Sequence, residues 1–397
     1  MGFRLIKDIS LFLLVFAVIN DDFVVDKVAG ENALKAVFAF FLLVNAKDIF
    51  LAFVSPKNLV MKLFYLFISV FAIIVFVNVM TEVITLTQGL FVLIPVLTIF
   101  LFVSYYDDFE KLLYFIWFST IVSSIILAFS EPITQWTFRR TGGTGDPNEF
   151  AAHILVAIAI TIYLFYKNGR YLFLFPSLAL YAYALLYAGS KSSFLTLAFL
   201  IVFAIVVKFR FLLRKLFSLR VLLGIVIAGV VLASLDISQW TAVKGLEQRA
   251  KSSGTAKTRF VSWNAGVRMT RDNFLTGVGA EQYEKHAREY ATDFIAEGSF
   301  APHNFLIKMI AENGILPFLA LIIFLAALFM ADFRKIMYSD YFWIYIAALS
   351  TVLMGLTLSM TYEKYFWLFL GLLSHVHLAL WYEEQEETDD EDHAYLA

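Results

Sequence analysis

Long apolar stretches separated by short polar ones make up most of this chain. Ile84–Ser104 and Val221–Leu235 contain no charged residue. A bilayer core of about 30 Å calls for about 20 such residues in a helix. On that scale the apolar runs predict spans at 9–20, 33–54, 59–80, 84–105, 110–130 and 147–166. The second half continues with 171–188, 191–209, 216–235, 302–331, 340–360 and 364–382. The pattern therefore predicts an all-α integral membrane protein with about twelve transmembrane helices. Most connections are short, which suits antiparallel neighbours; only 131–146 and 236–302 are longer.

The chain divides accordingly. Spans with short loops fill 1–235, a large loop occupies 236–301, the remaining spans lie in 302–382, and an acidic tail covers 383–397. The large loop has its own helical periodicity. Arg259–Leu275 places Phe260, Trp263 and Val267 on one side and stops at Gly277 and Gly279. Ala280–Ala296 predicts a second amphipathic helix with Tyr283, Ala287, Tyr290 and Phe294 as its apolar stripe. Such helices lie on a membrane surface or cover the mouth of a bundle. The tail is almost continuous acid from Glu383 to Asp392, and self-repulsion predicts a solvated, disordered end.

Basic residues set the orientation. Loops on the N-terminal side hold Arg4, Lys7, Lys47, Lys57, Lys111 and Lys167, the cluster Lys208–Arg220, and Arg334 with Lys335. Both termini are thus expected in the cytoplasm, with 131–146 and 236–302 facing out. Arg4 and Lys7 before Ile9–Ile19 have the layout of a signal peptide. The run ends in Asn20-Asp21-Asp22 without a small-x-small cleavage site, so it reads as a retained first span.

Composition narrows the chemistry. Of 397 residues, 60% are apolar and 16% charged, against roughly a quarter charged in a soluble domain. The net charge of −2 carries no basic excess that would suggest nucleic acid. The absence of cysteine excludes disulfides, thiolate catalysis and Cys-ligated metals.

Three constellations are candidates for function. The first is Arg139-Arg140-Thr-Gly-Gly-Thr-Gly-Asp146-Pro147-Asn148-Glu149. Asp146 as N-cap, Pro147 in the first turn and Glu149 three residues after the cap make a strong helix start. A glycine-rich turn with free N–H groups beside two arginines suits phosphate, and equally a tight loop with interfacial arginines. The second is Gly189-Ser-Lys191-Ser-Ser. A cation in a first helical turn opposes the macrodipole, so Lys191 calls for an anionic partner unless it snorkels to the interface. The third is Pro302-His303-Asn304, followed by Lys308, Glu312 and Asn313-Gly314. The 302–331 run is longer than a bilayer core, so it either bends near Asn313-Gly314 or stands above the lipid. Lys308 and Glu312, one turn apart, are placed to pair.

Two further features carry less. Asp21-Asp22 lacks the acid-x-acid spacing of a metal site and is followed directly by Phe23-Val24-Val25. His375 and His377 are two residues apart, hence on different faces of a helix.

Taken in order, Arg140-Thr-Gly-Gly-Thr-Gly-Asp-Pro-Asn-Glu-Phe, Gly189-Ser-Lys-Ser-Ser, Arg259-Phe-Val-Ser-Trp through Leu275-Thr-Gly-Val-Gly, and Pro302-His-Asn-Phe-Leu with Ala311-Glu-Asn-Gly-Ile resemble a known superfamily. It is that of the O-antigen ligases and polymerases, bacterial envelope glycosyltransferases. The resemblance covers roughly residues 135–330. It departs at Lys191, where the family usually has arginine, so the charge is kept and the planar fork lost.

The resemblance implies a GT-C-like fold in the inner membrane, with one large periplasmic helical loop. It implies a metal-independent, inverting transfer, without cofactor, from an undecaprenyl-diphosphate-linked glycan to lipid A–core on the periplasmic face. A polymerase extending a lipid-linked glycan and a glycan-to-protein transferase are variants of the same scheme. On this reading His303 and Arg259 are the catalytic pair. Arg139, Arg140, Lys191, Arg268, Arg271 and Arg288 hold the diphosphate, Asn304, Asn148 and Glu149 support, and membrane lipids surround the bundle. Chemistry agrees, since arginines neutralise a diphosphate without metal and histidine is the usual base near neutral pH. A transporter of lipid-linked sugar is the competing class, but it usually carries two similar halves with matching broken spans, and none is evident.

Overall fold

The structure, a computed structural model, describes residues 2–25, 31–54, 58–130, 140–142, 144–166, 169–216, 254–291 and 300–396. Among these residues there are helices and no strands. In chain order they are α1 (Gly2–Ile19), the turn α2 (Asp21–Phe23), α3 (Glu31–Val54), α4 (Leu59–Met80), α5 (Leu86–Tyr105) and α6 (Phe109–Phe129). Then come α7 (Pro147–Thr161, extended by a π-turn, Ile162–Tyr166), α8 (Tyr171–Ala188) and α9 (Lys191–Leu216). The remainder are α10 (Gly254–Asp272), α11 (Tyr283–Tyr290), α12 (Phe305–Asn313), α13 (Ile315–Met330), α14 (Phe333–Tyr338), α15 (Phe342–Gly355) and α16 (Lys364–Leu396).

Among the described residues, eight helices are long and apolar enough to cross a membrane, and α13 and α15 are shorter apolar helices. Apart from its first residue, the predicted span 216–235 lies outside the described residues, as does all of 236–253. α16 packs on α5, α13 on α4, and α15 on α7, while α1 fits between α3 and α6. Aromatic rings fill the centre: Phe64 stacks on Phe100 at 3.9 Å, and Phe67 on Trp367 at 5.6 Å. Offset ring pairs of this kind add roughly 0.5–1.5 kcal/mol beyond the area they bury.

Three expectations need correction, and one is met in its first form: the long run 302–331 bends at Asn313-Gly314 and is not one helix. It breaks at Gly314, whose φ is +76°, into α12 and α13. A Cβ there would lie 2.2 Å from the Leu275 carbonyl oxygen, so only glycine permits the approach. The break frees backbone groups that the preceding loop takes up: Val278 N–H donates to Ala311 O at 3.0 Å, Gly279 N–H to Glu312 O at 2.9 Å, and Ile315 N–H to Phe274 O at 2.9 Å.

On α10 the buried side is Ser262, Ala265, Gly266 and Met269, whereas Phe260 and Val267 are exposed. Small residues win that face because they let α11 and α12 approach. A Cβ on Gly266 would lie 2.6 Å from Ile307 and 2.8 Å from the Tyr283 hydroxyl. The second amphipathic helix is shorter than expected, Tyr283–Tyr290, and Phe294 lies outside the described residues. Its Tyr283 and Ala287 are buried as the stripe predicts. Lastly, the acidic tail continues α16 as helix to Leu396. Glu, Gln and Ala are good helix formers, the preceding span supplies the nucleus, and Lys335 pairs with Glu384.

Met269, Val278, Tyr283, Ala287, Ala311 and Ala265 form a small core of their own. α10, α11 and α12 thus make a lobe around this small core, while Phe305 and Met309 of α12 are buried in the core of the bundle.

Candidate functional site

The first constellation starts α7 as predicted. The Asp146 carboxylate accepts the Asn148 N–H, and its Oδ1 also accepts Asn148 Nδ2 at 2.8 Å. Gly142 is pressed against α6 and α7, since a Cβ would lie 2.1 Å from the Phe150 ring and 2.6 Å from Ser123 O. The Ser123 hydroxyl donates to Gly142 O from below. Glu149 lies half-buried in the first turn.

Arg140 has structural partners. Its Nη1 donates to Ala128 O at 3.1 Å at the end of α6, where a cation complements the helix dipole. Its guanidinium lies 5.0 Å over the Tyr187 ring, and its Nε is buried without a hydrogen-bond partner. The Arg140 N–H donates to Tyr187 O at 3.1 Å, which brings the first constellation against the end of α8. The second constellation follows directly there. Gly189 takes φ +58° to end α8, the Ser190 hydroxyl accepts the Ser193 N–H at 3.3 Å, and Lys191 opens α9 half-buried.

The third is built between the lobe and the bundle. Asn304 N-caps α12, accepting Leu306 N–H at 3.0 Å and Ile307 N–H at 3.1 Å. Its amide donates to Leu356 O at 3.2 Å, so both ends of the side chain are used structurally. His303 is half-buried, with φ +44°. Its N–H donates to the Ser359 hydroxyl oxygen at 2.9 Å. Trp263, one helical turn after Arg259, donates its indole N–H to Pro302 O at 2.6 Å.

Electrostatics join these pieces. Burial first, then the Arg259 guanidinium, lowers the His303 pKa below its ordinary 6.5, while Asp146 and Glu284 oppose the shift. Burial likewise lowers the pKa of Arg259, with Asp146 opposing. The Arg259 Nε is buried without a hydrogen-bond partner. His303, Arg259 and the cap of α7 therefore act on one another across three segments distant in sequence. An imidazole kept neutral beside a desolvated guanidinium can accept a proton next to an anion.

The other arginines are arranged differently. Arg268 is exposed on the face of α10 opposite Arg259, where it donates to Tyr290 O at 3.4 Å. Arg271 is exposed near the end of α10, and Arg288 lies 5.5 Å over the Phe300 ring. Arg139 lies outside the described residues. Lys308 sits 4.9 Å over the Tyr362 ring. Glu312 is fully buried and accepts the Tyr283 N–H at 2.9 Å at the start of α11. Burial raises its pKa, and the Lys308 charge opposes the rise. His375 stacks on Phe109 at 4.2 Å, whereas His377 bonds Asp332 at 2.9 Å and Leu328 O at 2.8 Å. Each of those two histidines is thus engaged on its own.

Sequence reasoning missed Ser359 and the Trp263 bond. Trp263 shares the face of Arg259 by helical spacing, which is a usable signal, but nothing in the sequence marks Ser359.

The architecture is that of a multi-pass helical membrane protein with a polar lobe over one end. Residues 176–325 match the family described as O-antigen ligase. The match runs from α8 through the lobe into α13, including Lys191, Arg259 and His303 but neither Arg140–Glu149 nor the turn bearing Ser359. Among curated proteins, none matches this chain.

Proposed function

We propose that this chain is an envelope glycosyltransferase of the O-antigen ligase kind. It takes a glycan from undecaprenyl diphosphate and joins it to lipid A–core on the periplasmic face of the inner membrane. The observation that carries the reading is the pairing of His303 with Arg259. One is a half-buried imidazole whose pKa is depressed, the other a half-buried guanidinium whose Nε lacks a partner.

The chemistry follows from those two groups. The acceptor hydroxyl attacks the anomeric carbon while its proton passes to a ring nitrogen of His303. The bond from that carbon to the diphosphate oxygen breaks, and undecaprenyl diphosphate leaves with the electron pair. A single displacement inverts the anomeric centre. Arg259 faces the leaving diphosphate, with Lys191 and Arg140 as further cations on the α7–α9 side. Arg268, Arg271 and Arg288 lie farther round the lobe and would meet the glycan or its approach. The bias of basic residues toward the loops on the N-terminal side supports a periplasmic lobe and cytoplasmic termini.

The test is an assay with purified protein, lipid-linked glycan and EDTA, offering lipid A–core and a second lipid-linked glycan as acceptors in parallel. Transfer to lipid A–core is expected with the chelator present. Transfer only to the second glycan makes the protein a polymerase. Transfer to neither, with movement of intact lipid-linked glycan across vesicles, makes it a transporter.

A further inference from the structure

His303 adopts a backbone conformation that side-chain-bearing residues rarely take, φ +44°. Such a conformation persists only where its surroundings over-determine it. Here they do. From the lobe, the Trp263 indole holds Pro302 O at 2.6 Å. From the bundle, the turn between α15 and α16 makes three bonds to the same stretch. Ser359 Oγ accepts the His303 N–H at 2.9 Å, Leu356 O accepts the Asn304 amide at 3.2 Å, and the Thr361 hydroxyl donates to Phe305 O at 3.1 Å. That turn is itself anchored, because Trp367, buried in the core, donates its indole N–H to Thr361 O at 2.9 Å.

The His303 N–H precedes the cap of α12, so no helical carbonyl is available to it. We propose that Ser359 is a positioning residue for His303: its hydroxyl oxygen, by accepting that N–H, holds the imidazole against Arg259. This rests on the function proposed above, and it assigns part of the site to a segment outside residues 176–325. Without the hydroxyl, a half-buried donor is left without its partner and the left-handed backbone loses its restraint. The backbone then relaxes to negative φ and swings the ring aside. A displacement of about 1 Å at a reacting group costs on the order of 10²-fold in rate.

The charged groups facing His303 are Arg259 from α10, Asp146 from the start of α7 and Glu284 from α11. A ring released from burial and from Arg259 would titrate closer to 6.5 than the native ring does.

The experiment uses the full chain in lipid nanodiscs, with Ser359→Ala made in the wild type and in His303→Ala. Single-turnover transfer, donor affinity and the NMR titration of the His303 ring are measured together. Ser359→Ala is expected to slow transfer by on the order of 10²-fold, leave donor affinity unchanged and move the ring titration upward. In the His303→Ala background it should add no further loss. Wild-type transfer by Ser359→Ala, an unmoved titration, or an equal loss in both backgrounds overturns the positioning role while leaving the proposed function intact. Full activity of His303→Ala overturns both. Should Ser359→Ala fail to fold, the near-isosteric pair Ser359→Thr and Ser359→Val makes the comparison. Thr should retain transfer and Val lose it, and equal rates sink the proposal.

Discussion

The indole of Trp263 donates to the carbonyl oxygen of Pro302 across 2.6 Å, tying α10 to the residue before His303. Arg259 lies one turn earlier on the same helix, so this bond, with those that Ser359, Leu356 and Thr361 make to the same stretch, sets the spacing between the cation and the imidazole. That spacing is a property of how lobe and bundle pack rather than of either segment alone.

If His303 is the base, His303→Ala removes about 10²–10⁴ in rate with donor affinity near normal. Its pKa is depressed by burial and by Arg259, so the acid limb of the pH–rate profile should fall below pH 6.5. The same sign governs stability. Histidine that is hard to protonate in the fold contributes stability above pH 6.5, lost as the pH falls through the depressed value. A profile whose acid limb survives unchanged in His303→Gln would assign the limb to another group.

Arg259 and Arg268 should behave differently although they share a helix. Arg259→Ala is expected to weaken donor binding by roughly 1.5–3 kcal/mol, the worth of a charge-assisted hydrogen bond. Arg268→Ala, exposed on the opposite face, should change it by less than about 0.5 kcal/mol. Equal losses, measured by titrating lipid-linked glycan into each variant, would mean the donor wraps the lobe.

Gly314→Ala tests the joint between lobe and bundle. The left-handed φ of +76° alone costs about 1–3 kcal/mol for alanine. The Cβ also lies 2.2 Å from Leu275 O, where only backbone can yield. Thermal unfolding in detergent should show a clear drop. A melting temperature within a degree of wild type would mean that α12 and α13 do not require the break.

Glu312 should be more tolerant of Gln than its burial suggests. Its carboxyl pKa is raised above 4.5 by burial, so its contribution to stability is present below pH 4.5 and lost as the pH rises through the raised value. Gln keeps an acceptor for the Tyr283 N–H, so Glu312→Gln should match wild type at pH 4 and equal or exceed it at pH 8. Glu312→Leu, which leaves that N–H unpaired, should lose about 1–3 kcal/mol at both. Stability of Glu312→Gln below wild type at pH 8 would show that the charge itself is needed.

Much of the architecture was legible in the sequence because it depends on local rules. Apolar run length marks the helices from α3 to α9, and Asp146-Pro147-Asn148-Glu149 marks the start of α7. The spacing of Tyr283 and Ala287 marks the buried stripe of α11. Each is a property of residues within a turn or two of one another. What only the tertiary structure decided depends on segments far apart in the chain. Which face of α10 is buried turned on how closely Tyr283 and Ile307 approach Gly266, so small residues went inward and Phe260 outward. The break at Gly314 required Leu275 to press on it. Arg140 was drawn to Ala128 O and Tyr187, and His303 was set by a hydroxyl from Ser359. Hydrophobic periodicity records how a residue relates to the helix it sits in, whereas these contacts are made by backbone and polar atoms that the fold alone brings within reach.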